Sequence, residues 1–264
     1  MIQSSSKSKI KKLAEFIALQ YDEKVTPLEK IVKAEGLRVY FDNYDKGTFD
    51  GMTIYEKEKF YIHINIDNGN RVNSARGRFT LAHELGHYII DIHRIGLMMG
   101  LLEPHHSITN QKQFNEIERE ADYFASCLLM PEERFQKDTY RKKFCFDLIN
   151  SLSKEYNVSI TACAFRFAQI GSHPIMIIYA ESGIIKWVYN SDDFPYKYLL
   201  NNKKISDSFV MGEYFNNTAT EISKTAQIWA IDCFDYVKSE DSNKKFYEHC
   251  ITHKNSALSI VWED

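Results

Sequence analysis

The 264-residue chain is 44% hydrophobic and rich in aromatics, with 17 Phe and 16 Tyr, so it has the material for real cores and excludes a disordered chain. Its formal charge of −3 gives no basic field for general polyanion binding. Lys7, Lys9, Lys11 and Lys12 precede an apolar stretch that Glu15, Gln20 and Asp22 interrupt, so neither a signal peptide nor a membrane span fits and the chain is expected in the cytoplasm.

Apolar positions at helical spacing from Ser8 to Tyr21 predict an amphipathic helix. A second helix is expected to start at Thr26, with Thr26 as N-cap, Pro27 at the first position and Glu29 closing a capping box, and to end near Gly36. Three β-like runs follow, Leu37–Phe41, Met52–Tyr55 and Phe60–Ile66, and predict a small antiparallel sheet. Asp42, Asn43, Asp45, Gly47, Asp50 and Gly51 read as turn residues between them. The last run is read as offering a free edge to which an extended peptide can add. Asn73 or Ser74 then caps a long helix reaching Ile92. A polar loop with Gly100, Pro104 and Ser107 leads to a helix from Gln113 to Met130, stopped by Pro131.

Residues Phe144–Ile170 read as two helices broken near Asn157-Val158-Ser159, and beyond His173 strand-like runs dominate: Pro174–Tyr179, Ile184–Tyr189, Ala226–Ile231 and Leu258–Trp262. Gly171-Ser172 is the expected boundary between a domain at 1–171 and a strand-rich domain at 172–264. The five cysteines, Cys127, Cys145, Cys163, Cys233 and Cys250, form no close pair, which disfavours a disulfide framework or a Cys-rich zinc site and reads as reduced, buried residues.

His83-Glu84-Leu85-Gly86-His87 places two imidazoles at i and i+4 on one helical face, about 6 Å apart along the axis. That spacing suits one tetrahedral Zn²⁺, with Glu84 leaning over a bound water as general base. A third ligand is then required. His93 stands where a longer three-histidine pattern has its last histidine, but that pattern needs a glycine at position 90, which here is Ile90. On a continuous helix His93 would lie about 120° around from His87 and about 9 Å on, and reads as an exposed helix-end residue.

Glu118-Arg119-Glu120-Ala121-Asp122 supplies a stronger candidate. Glu118 and Asp122 share a face with Ala125 and Leu129, so Glu118 can bind metal while Asp122 accepts the free ring N–H of a ligand histidine. Glu120 points elsewhere and is the weaker choice, and a solvated acidic face is the plain alternative for both.

The run Arg78-Phe79-Thr80-Leu81-Ala82-His83-Glu84-Leu85-Gly86-His87, together with Glu118 through Pro131, resembles the ImmA/IrrE family of metallopeptidases. The resemblance extends over roughly 26–170, where Tyr156, Val158, Ser159, Ala162 and Arg166 look like the family's helix-turn-helix-like segment. It implies an α+β fold with a thermolysin-like minimal zincin core, zinc on His83, His87 and Glu118, Glu84 as catalytic base, and cleavage of a helix-turn-helix repressor that would be a separate protein. Asp122 stands where the family often has Asn, keeping the hydrogen bond and adding a charge.

By analogy with IrrE, residues 172–264 could be a GAF-like sensor, with a dimerisation or docking module equally open. A binding module that holds a repressor without cutting it is the alternative function. A DNA-binding role for the 144–170 pair is the third, and direct nucleic-acid binding is not expected, since the pair offers only Lys154 and Arg166.

Overall fold

The computed structural model describes residues 4–102, 116–200, 203–216 and 221–264. The expected helix start at Gln113 and the loop residues Pro104 and Ser107 lie outside them. Two units form: one of residues 1–138 and 151–162, the other of 139–150 and 163–264. The helical pair expected within the first domain is therefore divided between the two, and Gly171 lies inside the second.

The first unit opens with helices α1 (Ser4–Ala18) and α2 (Leu28–Ala34). Thr26 forms no cap. Its hydroxyl instead donates to the Leu128 carbonyl at 2.8 Å, and Pro27 takes the N-cap position without a side-chain bond. A buried carbonyl at a helix C-terminus needs a donor, and satisfying it outweighs the local capping box.

Strands β1 (Arg38–Asp42), β2 (Gly51–Glu56) and β3 (Lys59–Asn65) form a sheet in the order β1-β3-β2. β2 pairs with β3 antiparallel, as its short Lys57-Glu58 turn demands, but β1 runs parallel to β3. This corrects the expected free edge. β3 is the central strand, hydrogen-bonded on both sides, and the edges are β1 and β2. Gly51, read as a turn residue, is the first residue of β2 and is buried.

Ile62 and Ile64 of β3 point to the buried face, and helix α3 (Ala75–Ile89) lies along the sheet with Leu81 and Leu85 buried. Ser74 caps α3, its hydroxyl accepting from the Gly77 N–H at 3.1 Å. The expected continuation to Ile92 fails at Ile90, which is extended (φ −72°, ψ 112°), and the chain restarts as α4 (Asp91–Met98). Helix α5 (Glu116–Leu129) packs on both α3 and α1. A Cβ on Gly86 would lie 3.2 Å from the Ala121 Cα, so this glycine with Ala121 lets α3 and α5 approach closely.

Helices α6 (Glu132–Thr139), α7 (Phe146–Glu155) and α8 (Ile160–Ile170) follow. The second unit's sheet contains β4 (Ile175–Glu181), β5 (Ile184–Asn190), β6 (Ser223–Trp229), β7 (Lys245–His253) and β8 (Ser256–Glu263), in the antiparallel order β5-β4-β8-β7-β6. Its core includes Met176, Ile178, Phe209, Phe234, Phe246 and Val261, with α9 (Val210–Asn216) and α10 (Ala230–Cys233) contributing Met211 and Cys233. Strand β7 is not among the four strand-like runs of the sequence. Four of the cysteines are buried, while Cys145 is exposed.

Candidate metal centre

Helix α3 brings His83 and His87 onto one face, and α5 brings Glu118 opposite them. One ligand atom from each of the three lies within 4.8 Å of the other two. The two Nε2 atoms stand 3.1 Å apart, His83 Nε2 is 3.2 Å from Glu118 Oε2, and His87 Nε2 is 3.4 Å from Glu118 Oε1. Ligands held at about 2.0–2.1 Å around one tetrahedral ion are about 3.3 Å from each other. The donor set fits such an ion.

Electrostatics agree with that fit. Asp122 Oδ1 accepts from His83 Nδ1–H at 2.9 Å, leaving Nε2 as the ring atom that faces His87 and Glu118. Burial alone would lower the His83 pKa, but the Asp122 and Glu118 carboxylates outweigh it and hold the ring well above the ordinary histidine value. Burial likewise works to raise the Glu118 pKa, and the two histidines overcome it, keeping the carboxylate ionised far below its usual range. Glu84, Glu118 and Asp122 thus set acidic groups around His83, a setting in which a divalent cation replaces the proton that this ring otherwise takes up.

Glu84 is fully buried. Its Oε2 accepts from the Thr53 hydroxyl at 2.7 Å, and the same hydroxyl lies 3.0 Å from the Glu84 carbonyl oxygen. In the sequence neither Thr53 nor Gly51, which reads there only as a turn residue, has a place at the site. A lone threonine 31 residues from Glu84 carries no pattern until the sheet is folded against α3.

His93 and Glu120 depart from expectation. The break at Ile90 turns His93 inward, so it is fully buried rather than exposed, with its ring centroid 5.3 Å from that of His87. Its Nε2 is 3.0 Å from Glu120 Oε2, so Glu120 is not on a solvated face either. Burial first, then the charge of His87, lowers the His93 pKa against the pull of Glu120. His93 is not in the ligand cluster.

Arg166 of α8 is also fully buried, which removes one of the pair's two basic groups from any surface. No helix among the described residues is long and apolar enough to cross a membrane.

A helix bearing two histidines, packed on a second helix that presents a carboxylate, defines a metallopeptidase-like centre. The chain belongs to the Peptidase_M78 family: the profile of its IrrE N-terminal-like domain matches residues 33–168, which supports the ImmA/IrrE membership. The family suggests a metallopeptidase that acts on protein. No curated protein matches the chain. Among solved structures, a Mycobacterium tuberculosis transcriptional regulator is similar, with a TM-score of 0.60 at 13% identity, covering 99% of this chain and 77% of that one. At that identity the likeness concerns the fold.

Proposed function

We propose that the protein is a zinc-dependent endopeptidase that cleaves a helix-turn-helix transcriptional repressor and so relieves repression of mobile-element or stress genes. The observation that carries this reading is the convergence of His83, His87 and Glu118, with a buried carboxylate, Glu84, next to the first of them in the chain. The family and the regulator-like fold support a regulatory substrate.

His83, His87 and Glu118 would hold the zinc, with Asp122 fixing the His83 ring. Zinc in such a site supplies Lewis acidity, which polarises the scissile carbonyl and acidifies water. Glu84 takes the proton of the attacking water on a carboxylate oxygen and returns it to the leaving amine, so its own role is proton transfer. The substrate strand is placed on the outer edge of β2, because that strand both ends the sheet and touches Glu84 through Thr53.

Glu84→Gln tests the reading. The variant should keep about one zinc per chain and still bind a helix-turn-helix repressor that the wild type cleaves, while cleavage falls by at least ~10²-fold, as expected for losing a general base. Cleavage at the wild-type rate would remove Glu84 from the chemistry. A zinc-loaded wild type that binds but never cuts such repressors would leave the non-cleaving binding module standing.

A further inference from the structure

We propose that Thr53 is a positioning residue for the Glu84 carboxylate, and that Gly51 and Thr53 together make strand β2 the element that aims this base. The inference rests on the peptidase reading above.

Residues 51 and 53 are two apart on a strand, so both face α3. They meet Glu84 in complementary ways. A Cβ at position 51 would fall 2.6 Å from Glu84 Oε1 and 2.8 Å from its Cγ, so the side chain lies directly against the bare backbone of Gly51. Thr53, itself buried, sets the carboxylate's orientation: its hydroxyl has one proton, and the Oε2 acceptor at 2.7 Å is closer than the carbonyl at 3.0 Å. The Glu84 carbonyl lies inside α3, where the helix supplies a donor of its own. The carboxylate is the closer acceptor of the Thr53 hydroxyl.

The strand itself is anchored at this point. The Asp50 carbonyl accepts from the Asn65 N–H at 2.9 Å, and the Asp50 carboxylate binds Arg76 at 2.8 Å and Asn70 at 3.0 Å. Gly51 is therefore fixed from the residue before it. A glutamate has rotatable bonds to spare, and a base works only within about 2.6–3.2 Å of the proton it takes, so a fixed hydroxyl and a fitted surface confine it to a useful geometry.

A purely structural role for Thr53 would show in stability alone, and that is what the test separates. Thr53→Val keeps the shape and removes the hydroxyl. It should retain about one zinc per chain and a KM within about two-fold of wild type, while kcat falls between about ten- and a hundred-fold, since a misplacement near 1 Å can cost about 10². Thr53→Ser, which restores the hydroxyl, should recover kcat to within about three-fold. In a crystal structure of zinc-free Thr53→Val the Glu84 carboxylate should leave its position over Gly51.

Unchanged kcat in Thr53→Val, or a Glu84 carboxylate that stays in place, overturns the proposal even if wild-type peptidase activity is secure. A wild type without activity overturns the peptidase reading instead, and the Glu84 position in the variant crystal then decides Thr53 by itself: displaced supports it, unmoved rejects it.

Discussion

Glu118 and Glu120 are two residues apart on α5 and serve different partners, Glu118 the two histidines of α3 and Glu120 the buried His93 of α4. Metal content should follow that division. Glu118→Ala is expected to lose tight zinc binding, whereas Glu120→Ala and His93→Ala should lower thermal stability and still retain about one zinc per chain after dialysis, the stoichiometry of a single tetrahedral site. Full retention by Glu118→Ala, read by mass spectrometry, would reject it as a ligand. The shared face of Glu118 and Asp122 was legible in the sequence because i,i+4 spacing fixes side-chain direction. The burial of His93 is not legible because the break at Ile90 has neither Gly nor Pro to announce it, and Thr53 carries no signal in the sequence because its partner comes from another element.

At the scale of elements, strands were legible where apolar residues run together, as in β4, Ile175–Glu181, and lost where polar groups interrupt them. β7 contains Glu248 and His249, both buried. Glu248 accepts from the Val210 and Met211 N–H groups at 2.6 and 3.2 Å and from the Ser259 hydroxyl, and burial nonetheless pushes its pKa up to about 7 from an ordinary 4.5. His249 sits between Thr225 and Ser223 at 2.7 and 3.1 Å and stacks on Phe146, and burial pushes it down to about 4 from an ordinary 6.5, against Asp147.

The two neighbours have opposite signs. Glu248 favours its neutral form in the fold, so its contribution is full below pH 4.5 and is lost as pH rises through about 7. His249 also favours its neutral form, so its contribution is full above pH 6.5 and is lost as pH falls through about 4. Across the shared window they offset each other. Glu248→Gln should therefore make Tm rise with pH more steeply than wild type over this range, and His249→Asn should make it fall relative to wild type. Curves of Tm against pH parallel to wild type in both variants would show that neither group changes its charge on unfolding.

For the whole molecule, the family match ends at residue 168, yet residues 139–150 and 163–170 belong to the second unit. The aromatic contacts show why a boundary at 171 is not a clean cut. Phe144 stacks on His173 at 5.4 Å and meets Trp262 at 5.2 Å, Phe146 lies against His249 at 3.5 Å, and Phe165 packs on Trp187 and Tyr189 at 5.3 and 4.9 Å. Sequence periodicity identified two helices here, but it cannot tell which core each face enters. A fragment of residues 1–171 contains His83, His87, Glu118 and the strands and helices that hold them, and should bind about one zinc per chain. It also takes His173 and Trp262 from Phe144, which keeps Phe167, and removes His249 from Phe146 and Trp187 and Tyr189 from Phe165, so each ring loses part of a burial whose full value is about 3 kcal/mol at most. The fragment should melt below the full chain and bind a dye that reports exposed apolar surface. An equal Tm with no dye binding would show that these aromatic contacts add nothing to stability, and a fragment that folds but takes up no metal would mean that the centre depends on residues beyond 171.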